Sequence, residues 1–394
     1  MGYRIDPSIT EEIARYGGDT YTKCFNCGNC SAVCPLSEDD FAFPRRYIRY
    51  VQLGLDDKLI ESPDPWLCYH CGECSDTCPR EADPGELMAA ARRYAISKFD
   101  ITGISKLMNR SVWTMLAVFI ALSAVFTALL LSSTGLDAGG ESIFGLVPGK
   151  WIHDIGVVLI VVISASMVVG VVRFYLHMRN QAIQKSSGRV SQLSLAGIFY
   201  AIRESLWHTR YRKCEDEGAF FTQRWFAHMG IIWGFLGLLF ATTYDFLFKP
   251  IGQEASLLHP GRLVGTISGL LLLYGTITML YLRHGKKTYG HRKSHFTDYF
   301  FIYLILFVGL TGFLAEIALY VAGTPNADGI VLVQGLFWRV ILIIHIVLSI
   351  DLIVLLPLTK FAHAIYRPMA LWMHGSVMRE RERAADGVPV KARG

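Results

Sequence analysis

Two copies of one cysteine run dominate the N-terminal region and limit what it can fold around. Cys24, Cys27, Cys30 and Cys34-Pro35 follow the spacing C-x2-C-x2-C-x3-C-P, and Cys68, Cys71, Cys74 and Cys78-Pro79 repeat it. Three closely spaced thiolates can wrap three irons of one cubane, while the fourth, set off before a proline, turns away and ligates the other cubane. The spacing therefore assigns Cys24, Cys27, Cys30 and Cys78 to one [4Fe–4S] cluster, and Cys68, Cys71, Cys74 and Cys34 to a second. Zinc also binds C-x2-C pairs, but a tetrahedral ion needs four ligands and has no use for the repeated, proline-terminated spacing. Disulfides would require an oxidising compartment. Met1 to Tyr21 is polar with no apolar signal-peptide core, so reduced thiols and metal ligation are expected.

The insert between the runs points to helices. From Pro44 to Leu59, the residues Tyr47, Ile48, Val51, Leu55 and Leu59 recur near helical spacing, and Pro44 suits a helix start. Glu86 to Phe99 also predicts a helix. His70 and the ninth cysteine, Cys214, fall outside the thiolate pattern and are expected to be structural.

Beyond residue 111 the character of the chain changes. Charged residues make up only 18% of the whole, and mean hydropathy is +0.35, which suits a chain lying largely in lipid. Six apolar stretches can cross a bilayer: Val112–Leu131, Trp151–His177, Trp225–Phe248, Leu263–Leu282, Tyr299–Val321 and Gly335–Leu358. Arg and Lys gather in the connections after the second span (Arg173 to Arg224) and the fourth (Arg283 to Lys293), and in the C-terminal tail. The opposite loops carry few. The basic side is expected to be cytoplasmic, which puts the cysteine domain and the C-terminus there too. The reading is an all-α chain: a helical two-cluster ferredoxin domain at 1–105, a six-helix transmembrane cytochrome b-type bundle at 106–368, and a basic cytoplasmic tail at 369–394. The net charge of +5 is modest, and nothing suggests a nucleic-acid surface.

Histidines inside the spans suggest haem b. His345 and His363 are taken to lie on the sixth helix and its extension. Eighteen residues at about 100° each make about five turns and a rise of roughly 27 Å, so both fall on one face, near opposite membrane surfaces. His228, in the first turn of the third span, is level with His363, and a His228–His363 haem is expected. A second haem on His345 would need an outer partner, for which His153 is chosen. His208, His284, His291, His295 and His374 sit in basic segments and read as solvated. Ionisable residues at membrane depth are functional candidates, here Glu316 and Asp351. With His259 and Arg262 at the outer side, Glu316 forms a candidate quinone site, where a carboxylate or imidazole can take protons as electrons depart. Arg173 is expected to snorkel. No G-x-G-x-x-G in a βαβ setting is present, so no flavin or nicotinamide site is expected in this chain.

The cysteine domain resembles the C subunit of heterodisulfide reductases. The segment Trp225-Phe226-Ala227-His228-Met229-Gly230-Ile231-Ile232, with the His345–His363 spacing, resembles the cytochrome b (gamma) subunit of respiratory nitrate reductases. That resemblance implies haem ligation by His228 and His363 nearer the soluble partner and by His345 nearer the quinone site. It departs at Leu238, where that family has a second histidine, and His259 falls where it keeps a quinone-site lysine. The fusion is similar to the C and E subunits of heterodisulfide reductases in one chain, and to the membrane subunits of quinone-interacting membrane-bound oxidoreductases. The latter implies two flavin/Fe–S partners, the A and B subunits of such a complex, with menaquinone as substrate and adenylylsulfate reductase downstream in sulfate respiration. Two other readings stay open: a heterodisulfide- or sulfite-linked electron module, and a membrane Fe–S redox sensor or anchor without quinone turnover.

Overall fold

The architecture comes from a computed structural model, which describes all residues except 1–4, 38–41, 133–141, 144–145, 186–193, 213–218, 249–255, 257, 286–293, 326–330 and 386–394. Cys214 and His291 lie outside the described residues. The chain is helical, with two short antiparallel ribbons (Ser142–Ile143 with Val147–Pro148, and Gly323–Pro325 with Val331–Val333) among the described residues.

The N-terminal domain is built from short helices, chiefly Ser8–Ile13, Arg45–Gln52, Asp56–Glu61 and Pro84–Phe99. The predicted single helix over 44–59 is broken. Gly54 takes φ +63°, and its carbonyl accepts from the Asp6 N–H at 2.9 Å. A side chain at Gly54 would put its Cβ 2.4 Å from the Asp6 carbonyl oxygen, so the close approach of the N-terminal segment both needs glycine and ends the helix. The second predicted helix starts slightly earlier, at Pro84. Asp83 caps it by accepting from the Glu86 N–H, and the proline occupies a first-turn position that needs no donor.

Six helices among the described residues are long and apolar enough to cross a membrane: Val112–Ser132, Trp151–Arg179 (within the longer helix Gly149–Lys185), Arg224–Phe248, Pro260–His284, Phe296–Ala322 and Leu336–Val354. Many of their outward apolar side chains, such as Ile160, Phe240 and Phe307, are exposed, as lipid-facing positions are. The third and fourth spans pack at backbone distance. A Cβ on Gly275 would stand 2.4 Å from the Ala227 carbonyl oxygen, and one on Gly234 2.7 Å from that of Ser268. Gly230 and Gly234 form the small-x3-small spacing that lets membrane helices approach closely.

The sixth span corrects one expectation. It stops at Val354, and after a turn and a 3-10 segment, Lys360–Ala362, a separate helix runs from His363 to Ala385. Pro357 explains the stop: it has no N–H for the helical ladder, and its ring clashes with the preceding turn. His345 and His363 therefore do not share one continuous helix, and their 18-residue spacing does not set their relative direction. The division expected at 368/369 falls inside the His363–Ala385 helix, which packs on Leu195–Trp207.

One buried cluster joins the domain to the helices. Trp66, Tyr94 and Phe99 of the N-terminal domain share it with Phe174 of the second span and with Tyr366, Ala370 and Leu371 of the last helix. The Trp66 and Phe99 rings stand edge-on to Phe174, with centroids 5.4 and 5.5 Å away. Burial of such large side chains contributes about 1.5–3 kcal/mol each, so the cysteine domain is fixed to the bundle by its core.

Candidate functional site

The two cysteine runs adopt the same backbone. In each, the second residue after the first cysteine is left-handed (Asn26 φ +61°, His70 φ +56°), and so is the glycine after the second cysteine (Gly28 +92°, Gly72 +93°). These turns swing the amides inward: Asn26 N–H points at Cys24 Sγ (3.4 Å), His70 N–H at Cys68 Sγ (3.3 Å) and Ala82 N–H at Cys78 Sγ (3.4 Å). A one-turn helix then carries the third cysteine, on Asn29–Ala32 and Glu73–Asp76. His70, expected to be structural, has Nε2 3.5 Å from Glu86 Oε2 and lines the pocket of the second run.

The thiols of the two runs stand near one another. Burial pushes the Cys30 thiol up to about 11, and the neighbouring thiols Cys24, Cys27 and Cys78 push it the same way. Burial takes Cys34 up to about 12, with Cys68 and Cys71 adding to it. Burial also raises Cys74 well above the ordinary thiol range, and Cys68, Cys71, Cys34 and Cys30 add to that. Cys34, Cys68, Cys71 and Cys74 line one pocket, closed by Leu36, Phe43 and Met88. Among the described residues, no three His, Cys, Asp or Glu side chains stand close enough to hold a single ion. Thiols ringing an apolar pocket, joined by inward amides, fit a multi-iron cluster better than a lone tetrahedral ion.

Directly against the second run lies a histidine group. The rings of His228, on the third span, and His363, opening the last helix, have centroids 6.5 Å apart. His363 Nδ1 lies 2.5 Å from the Lys360 carbonyl oxygen. A carbonyl cannot donate, so Nδ1 carries the proton and Nε2 keeps a free lone pair, the form that ligates a metal. His228 Nδ1 is buried without a hydrogen-bond partner. Two guanidinium nitrogens of Arg367, Nε and Nη2, are likewise buried without partners, and such unspent donors suit an acid group like a haem propionate.

His208 corrects another expectation. It is buried, not solvated, with its ring 4.9 Å from that of His228 and 6.2 Å from that of Tyr69. Burial pushes its imidazole far below the ordinary range, with His228, Arg367 and His363 adding to the shift, so it is neutral. His295 is half-buried as a helix cap, whereas His284 is exposed, with Nε2 2.8 Å from the Tyr303 hydroxyl.

Of the remaining candidates, His153, His259, Arg262 and Glu316 lie toward the span ends away from the cysteine domain, whereas His345 and Asp351 lie within the sixth span. His345 Nδ1 lies 3.1 Å from Thr311 Oγ1. Thr311 spends its one hydrogen on the Phe307 carbonyl (2.7 Å), so His345 donates and its Nε2 stays available. The ring lies against Gly312, where a Cβ would approach its Cε1 to 3.1 Å. His153 is exposed and stacks on Phe246 (5.3 Å, 8°), with Nδ1 3.3 Å from Asp154, and among the described residues no ring contact joins it to His345. Arg262 and Glu316 are brought together (Nε–Oε1 3.5 Å), and the Thr266 hydroxyl lies 2.9 Å from the Arg262 carbonyl and 3.2 Å from Glu316 Oε1. His259 stands at the N-cap position of the helix that carries Arg262, without a side-chain cap hydrogen bond, and its Nδ1 lies 3.7 Å from Asp245 Oδ1. Asp351 is fully buried and accepts from Ser123 at 2.5 Å.

Sequence reasoning missed Arg224 and Arg367. Their signal was present: each lies four residues from a histidine, Arg224 before His228 and Arg367 after His363, which is one turn on a helix.

Residues 20–82 match the 4Fe-4S dicluster domain family. A protein of Archaeoglobus profundus described as like the C subunit of heterodisulfide reductase is 35% identical over 109 residues, covering 26% of this chain and 58% of that protein. The C subunits of the H(2):CoB-CoM heterodisulfide,ferredoxin reductases of Methanothermobacter marburgensis and Methanothermobacter thermautotrophicus are each 36% identical over 63 residues, covering 16% of this chain and 34% of those proteins. The chain thus spans little more than half the length of the first of these relatives and about a third of the others. No solved structure matches the chain. The N-terminal segment carries a 4Fe-4S dicluster domain, similar to that of the heterodisulfide reductase C subunit, and is joined to six helices of membrane-crossing length and apolarity.

Proposed function

We propose that the chain is a membrane electron-relay subunit of the cytoplasmic membrane, with its iron–sulfur domain and C-terminus in the cytoplasm. It links a quinone, of the menaquinone class, to flavin/Fe–S partner proteins. Cys24, Cys27, Cys30 and Cys78 would hold one [4Fe–4S] cluster, and Cys34, Cys68, Cys71 and Cys74 the other. His228 and His363 would hold a haem b. These groups supply one-electron chemistry when bound. The protein's part is to bury them, to fix the imidazole tautomer through the Lys360 carbonyl, and to aim amides at the thiols. Arg262, Glu316 and His259 supply polar and acid–base groups for a quinone headgroup at the opposite side, and His345 would be a ligand of a second haem, for which the exposed His153, stacked on Phe246, does not fit as the partner.

The observation that carries the reading is the pair of facing imidazoles, His228 and His363, set against the second cysteine run. Adenylylsulfate reductase is the proposed downstream protein. The heterodisulfide reductase relatives favour a second destination, a heterodisulfide-linked partner. The test is His228→Ala in the full chain purified from native membranes. Loss of the dithionite-reduced b-type absorption with iron–sulfur content retained is expected; an unchanged haem spectrum would remove His228 from the ligand set. The co-purifying proteins decide between the two destinations.

A further inference from the structure

We propose that the cluster held by Cys34, Cys68, Cys71 and Cys74 is the membrane-facing one, and that Arg224 and Arg367 are positioning residues that fix it against His228 and His363 and make it the more easily reduced of the two. The proposal rests on the reading that both thiol sets hold [4Fe–4S] clusters.

Arg224 Nη1 donates to the Cys71 carbonyl at 2.6 Å, and Arg367 Nη1 to the Cys68 carbonyl at 3.2 Å. The Arg367 guanidinium also lies over the Tyr69 ring, 4.0 Å from its centroid. Both arginines are buried, at 3% and 8% exposure. They come from different helices, yet each sits one turn from a histidine of the facing pair. The two helix ends therefore grip two carbonyls of one cysteine run with the same elements that present the imidazoles. Tyr69 strengthens the attachment: its hydroxyl bonds Glu204, which also accepts from the Arg210 N–H at 3.0 Å.

The first run is held otherwise. Its Cys24 carbonyl accepts from Gln52 at 2.7 Å, a neutral amide of the iron–sulfur domain itself. Cys27 is exposed, as is Phe25 beside it. Cations beside that run, Lys23 next to Cys24, Arg45 beside Gly28 and Arg80 over the Phe25 ring, are exposed to water. A buried cation stabilises an added electron far more than a solvated one, because the local dielectric is lower and salt does not screen it. Hydrogen bonding, charge and burial set cluster potentials, and the buried arginines lie on the side of the second set.

The experiment is a redox titration followed by electron paramagnetic resonance on the purified full chain. Cys27→Ser and Cys71→Ser each alter the signal of one set and so identify it. The double variant Arg224→Gln/Arg367→Gln is expected to shift the Cys71-identified signal toward the oxidised form by about tenfold, which is ~59 mV for a one-electron couple. The Cys27-identified signal should stay within about twofold, by the screening of distant exposed charges. Arg367→Lys, which keeps the charge, should retain the midpoint if the double variant proves too unstable to purify, whereas Arg367→Gln alone should lower it. A shift in the first set, an equal shift in both, or no shift with both signals present overturns this proposal alone. Absence of both signals together with missing iron refutes the cluster reading beneath it.

Discussion

Asp298→Asn should loosen the seam between the iron–sulfur domain and the helices. Asp298 opens the fifth span and is wholly buried. Its Oδ1 pairs with Lys360 Nζ at 2.9 Å and its Oδ2 with Arg93 Nη1 at 3.3 Å. Arg93 belongs to the domain helix Pro84–Phe99, donates from Nε to the Tyr16 carbonyl at 2.8 Å, and also pairs with Glu86. Lys360 belongs to the 3-10 segment after the sixth span. One carboxylate thus ties three elements. The asparagine keeps the volume but leaves two cations facing each other without their shared anion. Removing one partner of a buried pair costs about 3–5 kcal/mol, against about 0–1 kcal/mol for an exposed pair. Because Arg93 retains Glu86, the lower part of that range, about 3 kcal/mol, is expected. It corresponds to a change of more than about a hundredfold in the opening equilibrium. The assay is denaturant unfolding of the detergent-solubilised chain followed by tryptophan fluorescence, alongside proteolysis in the segment joining the domain to the first span. The double variant Asp298→Asn/Lys360→Gln should regain part of the loss, since the residues are coupled. A single-variant effect below about 1 kcal/mol would refute the reasoning, because the triad would then be behaving as a solvated pair.

Gly275→Leu should disrupt the third and fourth spans at a cost of about 1–3 kcal/mol or more, because its Cβ would meet the Ala227 carbonyl at 2.4 Å. Gly265→Ala, whose Cβ would meet only Ala241 Cβ at 3.6 Å, should be tolerated, and thermal unfolding compares the two. His295 gives a pH dependence. Burial first, then Arg93, holds its imidazole down to about 4 from the ordinary 6.5, and its Nδ1 accepts from the Thr297 N–H that it caps. Between those values the unfolded chain binds a proton that the folded chain does not. Its contribution is therefore complete above about pH 6.5 and is lost as pH falls toward 4, by no more than about 1.4 kcal/mol per pH unit. His295→Asn keeps a cap acceptor and should flatten the acid limb of a stability–pH curve.

The fold is legible in the sequence where local chemistry decides. The spacing of the cysteine runs is that of a 4Fe-4S dicluster domain, and a left-handed glycine, Gly28 or Gly72, follows the second cysteine of each. The membrane spans follow from unbroken apolar length, and their observed ends shift by only a few residues. Periodicity fails where a single residue overrides it: Gly54 ends the 44–59 helix because Asp6 packs on it, and Pro357 ends the sixth span. The proline is readable as a stop, but the Asp6 contact is not, since it is tertiary. The charged neighbours Arg210 and Arg212 make His208 look solvated in sequence; burial beside His228 and Tyr69 overrides that local composition. The grip of Arg224 and Arg367 on Cys71 and Cys68 spans 153 and 299 residues of sequence, beyond any local pattern.

Metal and pigment analysis of the intact, anaerobically purified chain tests the central claim most directly. Iron and acid-labile sulfide sufficient for two [4Fe–4S] centres, together with a b-type spectrum on reduction, are the predicted result. Zinc on the thiols, or clusters present with no porphyrin in the preparation, would contradict a relay running from the cysteine domain into the bilayer.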